Sequence, residues 1–178
     1  ALLATLRAIS DEWLADRHAS EKGFSVGRFD RDWLNRWPLA LVRQDGRIVA
    51  FATVLSTGGR DVAMLDMARH SRDAPAETMD FLFTALMLAL KDQGYRQFSL
   101  GMAPLAGLEA RRARRIWRRF GAALFRHGGN FRSFAALRAF AARFDPAWQP
   151  HYIAIPSSAR PRLPLTDVAN LISGGPRA

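Results

Sequence analysis

Leu2, Leu3, Leu6, Ile9, Trp13 and Leu14 recur at helical spacing, so residues 2–17 are predicted to form an amphipathic helix. A loop follows over 19–27. Asp30 is placed to cap a short helix over 30–37, which Pro38 ends. Beyond it the period changes. Residues 39–43 and 47–55 carry β-branched and aromatic side chains on either side of Gln44-Asp45-Gly46. An Asp-Gly pair tolerates positive φ, so this is read as a hairpin. Thr57-Gly58-Gly59-Arg60 turns the chain into a third strand over 61–68. A long apolar helix is expected from Asp73-Ala74-Pro75 to about Gln93, stopped by Gly94. Residues 95–101 read as a strand and 108–124 as a basic helix. Gly128-Gly129 is a turn, and 131–143 is a helix with Phe131, Phe134, Leu137 and Phe140 on one face. A strand over 150–156, a proline-rich loop and a helix over 165–172 complete the pattern.

A hairpin and a third strand, then alternating helix and strand, predict an α/β fold with a mixed, largely antiparallel sheet and flanking helices. The whole of 1–178 is expected to be one domain. The arrangement is similar to the N-acetyltransferase (GNAT) fold. In that fold a glycine-rich loop at the start of the main helix receives the coenzyme A pyrophosphate, because exposed N–H groups and the helix dipole favour an anion. Here the corresponding residues 69–76 contain no glycine, and Pro75 has no N–H to offer. No cofactor is therefore expected.

Composition narrows the chemistry. With 178 residues and 49% hydrophobic content, the chain supports a sizeable core. It has no cysteine, which excludes disulfides, thiolate zinc sites and a cysteine nucleophile. The formal charge is +10, and Lys22 and Lys91 are the only lysines among 26 basic residues. Arginine pairs bidentately with phosphate, so the bias suits an anionic partner; codon bias in a GC-rich genome is the plainer alternative. No stretch is long and apolar enough to span a bilayer. The chain does not open on methionine, and it is expected to be a piece of a longer membrane protein. There is no Walker loop, dinucleotide glycine motif or His-Glu-x-x-His, and the four histidines are scattered, so no metal is expected. Ser99 and Ser133 lack the elbow context of a serine nucleophile.

The stretch from Met64 to Gly107 holds the most telling chemistry. Asp66, Arg69 and His70 fall where the third strand meets a polar loop before a helix, a place where α/β proteins put reactive groups. Asp66 and Arg69 are three apart, so on a regular strand they point to opposite faces; a bend is needed to bring them together. The structural alternative for the pair is an ion pair or a brace for the N-terminal loop. His70 and His127 titrate near neutrality and are candidate general bases. Glu109 opens the basic helix, where the dipole favours an acid. On that helix Ala113, Ile116, Trp117 and Phe120 make an apolar stripe, and Arg111, Arg112, Arg114, Arg115, Arg118 and Arg119 spread over the rest. Such a face suits tRNA phosphates or anionic headgroups, or is simply solvated. Arg138 and Arg143 lie on the polar side of the 131–143 helix, while Trp148 and Tyr152 are read as core.

The blocks EKGFSVGRFD (21–30), LDMARHSRDAP (65–75), MDFLF (79–83), GYRQFSLGMAPLAG (94–107) and FDPAWQPHYIA (144–154) resemble the bacterial phosphatidylglycerol lysyltransferase family. The resemblance spans nearly the whole chain. It implies the second of two acyltransferase-like halves, on the cytoplasmic side of a membrane protein. It implies transfer of an aminoacyl group, lysyl by default, from aminoacyl-tRNA to a hydroxyl of phosphatidylglycerol, which lowers the negative charge of the membrane surface. It also implies an aminoacyl pocket with an acid and an arginine at Asp66 and Arg69, the former on the ammonium. His70 is carried as a catalytic candidate, and Glu109, Arg126, His127 and Arg138 as substrate-binding candidates. Arg111, Arg112, Arg115, Arg118 and Arg119 are the candidates for tRNA or headgroup phosphates. A coenzyme A-dependent N-acetyltransferase and a non-catalytic module binding anionic lipid or RNA are the other readings.

Overall fold

A computed structural model describes residues 1–21, 27–103, 131–152 and 154. In chain order the elements are α1 (Leu2–Asp16), α2 (Arg31–Leu34), β1 (Leu39–Gln44), β2 (Arg47–Ser56), β3 (Val62–His70), α3 (Thr78–Asp92), β4 (Gln97–Ser99) and α4 (Phe131–Ala142). The chain divides into two compact units, one of residues 1–22 and 26–101, the other of 23–25 and 102–178.

In the first unit the sheet runs in the order β1-β2-β3-β4. The first three strands are antiparallel, and β4 joins β3 in parallel after the α3 crossover. This is the mixed, largely antiparallel α/β sheet that the pattern predicts. The hairpin turn is as expected: Asp45 and Gly46 both have positive φ, at 49° and 79°, which matches the right-handed twist of the flanking strands. Leu6 and Ile9 of α1 and Leu34 of α2 pack with Phe29, Phe51 and Met67 on one face of the sheet. Leu82 of α3 packs with Val42, Val49, Ala50 and Ala52, and Leu90 with Val54 and Ala63, on the other. Complete burial of Leu6 and Phe51 contributes about 1.5–3 kcal/mol each. The Asp30 carboxylate accepts from the Trp33 N–H at 2.9 Å, as an N-cap should. Gly94, at φ 86°, ends α3, and the Tyr95 N–H bonds back to the Leu90 carbonyl at 3.0 Å.

Several boundaries differ from the expectation. The helix expected over 30–37 keeps only Arg31–Leu34. α3 starts at Thr78 rather than Asp73, because the Thr78 N–H closes a tight turn on the Pro75 carbonyl instead of entering a helical ladder. β4 is three residues long, not seven. β3 runs on to His70, because Ala50 and Phe51 of β2 offer pairing partners to His70 and Arg69. Residues 150–152, expected to open a strand over 150–156, lie outside any strand. The basic helix over 108–124 and the helix over 165–172 lie outside the described residues.

The feature of β3 that matters most is its irregular register. Val54 pairs with Leu65, but Ala52 pairs with Ala68, so Asp66 and Met67 together face the single residue Thr53. This is a β-bulge. Its extra residue resets the alternation of faces: Leu65 and Ala68, three apart, both pack on the α3 side. The Met67 N–H has left the ladder and donates to the Thr53 hydroxyl at 3.1 Å, in a fully buried position. Thr53→Val keeps the shape but strands that N–H. It is expected to cost about 1–3 kcal/mol, read as a lower midpoint in thermal unfolding.

In the second unit, α4 is followed by Asp145 at φ 47°. The Phe140 and Phe144 rings meet edge to face at 5.4 Å. The Arg138 guanidinium lies 5.9 Å from the Trp148 ring centre, so Trp148 carries a cation as well as apolar surface. Tyr152, read as core, is 88% exposed. No helix among the described residues is long and apolar enough to cross a membrane.

Candidate active site

The bulge puts Asp66 and Arg69 on the same side of the sheet, the side that α1 and α2 cover. It supplies the bend that a regular strand lacks. The two side chains do different things there.

Arg69 is 4% exposed. Its two terminal nitrogens donate to the two Glu21 oxygens, each at 2.7 Å, and one of them also reaches the Ser10 hydroxyl. The Trp13 ring centre lies 5.4 Å from the guanidinium carbon. This fork-to-fork pairing ties the strand to the segment after α1. Burial pushes the Glu21 carboxyl up, but the bonds and charge of Arg69 outweigh it and hold the group below its ordinary value. The arginine thus acts as the loop brace that was the structural alternative.

Asp66 is half-buried and accepts a hydrogen bond from the Trp33 indole N–H at 3.2 Å to Oδ2. Among the described residues it has no ion pair. Gly27 passes against the same carboxylate: a Cβ there would come within 2.3 Å of Oδ2. Trp33 is itself in tilted contact with Trp37, with ring centres 5.5 Å apart. The result is a carboxylate fixed by a neutral donor and paired with no cation among the described residues. Such a group attracts a cation. Gly27→Ala is expected to displace the carboxylate and to lower turnover about tenfold, while leaving the melting temperature within about 2 °C, since only the end of one side chain must shift.

His70 stands at the end of β3. The Arg17 guanidinium lies 3.1 Å from Nε2, and the Ser71 carbonyl 2.8 Å from Nδ1. An arginine only donates and a carbonyl only accepts, so Nε2 is placed to accept and Nδ1 to donate. Both ring nitrogens are occupied. The neighbouring loop is strapped to α1 as well. Arg72 pairs with Asp16 through Nε at 3.0 and 3.2 Å and through a terminal nitrogen, and the Arg72 N–H donates to Glu12 at 3.2 Å. The Arg72 hydrogen bond and charge lower the Asp16 carboxyl, and Asp16 in turn raises Arg72. Asp73 is lowered by the Ser71 hydroxyl, its own N–H and Arg47. At the place where a coenzyme A loop would present N–H groups to phosphate, one of them is already held by a carboxylate.

Of the other candidates, Arg138 is on α4 in the second unit. Glu109, Arg111, Arg112, Arg115, Arg118, Arg119, Arg126 and His127 lie outside the described residues. Sequence reasoning missed Ser10, Trp13, Glu21, Gly27 and Trp33 as site residues. Glu21 and Gly27 sit in the EKGFSVG block, which carried a signal; Ser10, Trp13 and Trp33 read as ordinary helix positions.

A mixed sheet with a bulged third strand and an α3 crossover defines the class: an α/β domain with an N-acetyltransferase-like fold. Within that class the chain belongs to the phosphatidylglycerol lysyltransferase C-terminal family, whose model matches residues 1–155. It is 39% identical over 155 residues to the phosphatidylglycerol lysyltransferase of Bacillus subtilis strain 168, covering 86% of this chain and 18% of that protein. It is 31% identical over 153 residues to the Staphylococcus xylosus protein of that name, covering 85% and 18%. The chain thus spans less than a fifth of these curated relatives. A solved C-terminal domain described as lysylphosphatidylglycerol synthetase from Agrobacterium fabrum superposes with a TM-score of 0.81 at 42% identity, covering 99% of this chain and 52% of that one. The structure of L-PGS from Bacillus licheniformis gives 0.75 at 33% identity, covering 97% and 51%.

Proposed function

We propose that this chain is the catalytic portion of an aminoacyltransferase that moves an aminoacyl group, lysyl by default, from aminoacyl-tRNA to phosphatidylglycerol at the cytoplasmic face of the membrane. The observation that carries the reading is Asp66: a half-buried carboxylate at a strand bulge, fixed by an indole N–H and paired with no cation among the described residues. It is suited to the ammonium of an aminoacyl ester. Membership of the family supports the lipid acceptor, and the arginine-rich composition suits two polyanionic partners.

The chemistry asks little of a base. The donor is an activated ester: the glycerol oxygen bonds to its carbonyl carbon, the bond to the ribose oxygen breaks, and the hydroxyl proton passes to that leaving oxygen by way of the neighbouring ribose hydroxyl. Holding the ammonium on Asp66 turns two mobile reactants into one oriented pair, and positioning supplies most of the acceleration. Arg69 and Glu21 hold β3 so that the carboxylate stays aimed. The Glu12 contact to the Arg72 N–H favours this reading over acetyl-coenzyme A as donor.

The test uses the full-length protein with labelled lysyl-tRNA and phosphatidylglycerol vesicles. Label is expected in the lipid fraction, and mass spectrometry identifies the product. Thiol release from acetyl-coenzyme A without label transfer would replace this reading with the N-acetyltransferase one. Binding of tRNA or vesicles with no transfer would leave a binding module.

A further inference from the structure

We propose that Trp33 is a positioning residue that gives this site its selectivity for acyl groups bearing a free ammonium. The inference rests on the functional reading above and adds to it the residue that sets the pocket acid.

Asp66 accepts a hydrogen bond from Trp33 Nε1, at 3.2 Å to Oδ2, the one it takes among the described residues. A carboxylate can be held by an arginine or lysine, in which case its charge is spent on that partner. It can also be held by a neutral donor, in which case geometry is fixed and the charge remains available. Indole N–H is a donor only, with no charge and no acceptor capacity. Trp33 therefore orients Asp66 without competing for the ligand's position. The adjacent arginine does not take Asp66 either, because Glu21 and Ser10 occupy it. Gly27 lies against the carboxylate, an added Cβ there falling 2.3 Å from Oδ2 and 3.0 Å from Oδ1, so a cation has to approach from the side away from Gly27.

The Trp33 ring rests against Trp37 in a tilted contact, at 5.5 Å and an interplanar angle of 56°. Trp37 provides the internal control. Its own N–H is buried and has no hydrogen-bond partner among the described residues, and it makes no bond to Asp66. The two rings touch, yet only one of their N–H groups does anything for the carboxylate. Replacing each by phenylalanine deletes one N–H and trims one ring, so a purely structural role predicts similar effects.

The experiment uses full-length protein and two donors, lysyl-tRNA and the same tRNA with both lysyl amines acetylated. Trp33→Phe is expected to lower kcat/KM for lysyl-tRNA about 10- to 100-fold, the range for a hydrogen bond to a charged group. The rate with the acetylated donor, which has no ammonium to place, is expected to stay within about threefold, so discrimination between the donors shrinks by the same factor. Trp37→Phe is expected to leave the discrimination ratio unchanged. Benzothienylalanine at position 33 keeps the ring shape and replaces N–H with sulfur, so it tests the same bond without disturbing packing; it is expected to match Trp33→Phe. Unchanged discrimination in the benzothienylalanine protein overturns the inference, as does an equal loss on both donors. A wild-type protein that transfers nothing to lipid overturns the functional reading and this inference with it. A wild type that transfers while the position-33 proteins discriminate normally overturns this inference alone.

Discussion

Asp66→Asn is expected to lower kcat/KM for lysyl transfer by about two orders of magnitude. Removing one partner of a desolvated charge pair costs roughly 2–5 kcal/mol, which is about 30- to 5,000-fold in kcat/KM. Asp66 is half-buried rather than fully buried, so the lower part of that range applies. The amide is isosteric and still accepts from Trp33, so the fold should not suffer. Relief of an isolated negative charge beside apolar surface should even raise the melting temperature slightly. The measurement is steady-state transfer by full-length protein to phosphatidylglycerol vesicles, alongside a thermal melt. Wild-type rates in the Asp66→Asn protein would remove the ammonium role. A loss of rate accompanied by a large drop in melting temperature would make Asp66 a structural residue.

Glu21→Ala is expected to act on the fold instead. It leaves the Arg69 guanidinium, 4% exposed, without its counter-charge. Breaking a buried pair from one side costs roughly 3–5 kcal/mol. The Glu21 side chain is 30% exposed, so water partly replaces it and about 3 kcal/mol is the appropriate figure. For a chain of this size that is a fall of about 6–12 °C in the unfolding midpoint. Replacing both partners by methionine should lose less than the sum of the two single changes, because no stranded charge remains. An equal sum would show that the pair is uncoupled.

The same pair sets a pH dependence. The folded state holds the Glu21 carboxyl below its ordinary value of 4.5. A depressed carboxylate stabilises fully above its unfolded value, and that contribution is lost as pH falls through the folded one. Stability is therefore expected to be flat from neutrality to about pH 5 and to fall below it as Glu21 takes up its proton. Asp16, lowered by Arg72, adds in the same direction at the solvent-exposed strap. Melts between pH 7 and pH 3 check this, and Glu21→Gln should flatten the acid limb relative to wild type.

Much of this was legible in the chain, for local reasons. The Asp45-Gly46 turn, the Asp30 cap and the Gly94 stop each follow from a residue's own backbone preference or a bond a few positions away. The period of apolar positions shows one helix before the sheet and one across it. The long α3 start was misread because Pro75 suits both a first helical turn and an isolated turn, and neighbouring residues do not distinguish the two. Asp66 was marked as a candidate by its place at the end of a strand before a helix, and the aminoacyl role proposed for it came from family resemblance alone.

What the sequence determined by itself is the order of elements from α1 to β4, the sheet's mixed character and the family, because these depend on short-range pattern and on blocks of residues read in order. Tertiary structure decided the site. Whether Asp66 and Arg69 share a face depends on a single extra residue opposite Thr53, which alternation along β3 does not reveal. What each of the two is paired with depends on partners far along the chain: Glu21 and Ser10 reach Arg69, and Trp33 reaches Asp66. Charge and hydrogen bonding act through space, so a residue's chemistry belongs to its neighbours in the fold rather than in the sequence.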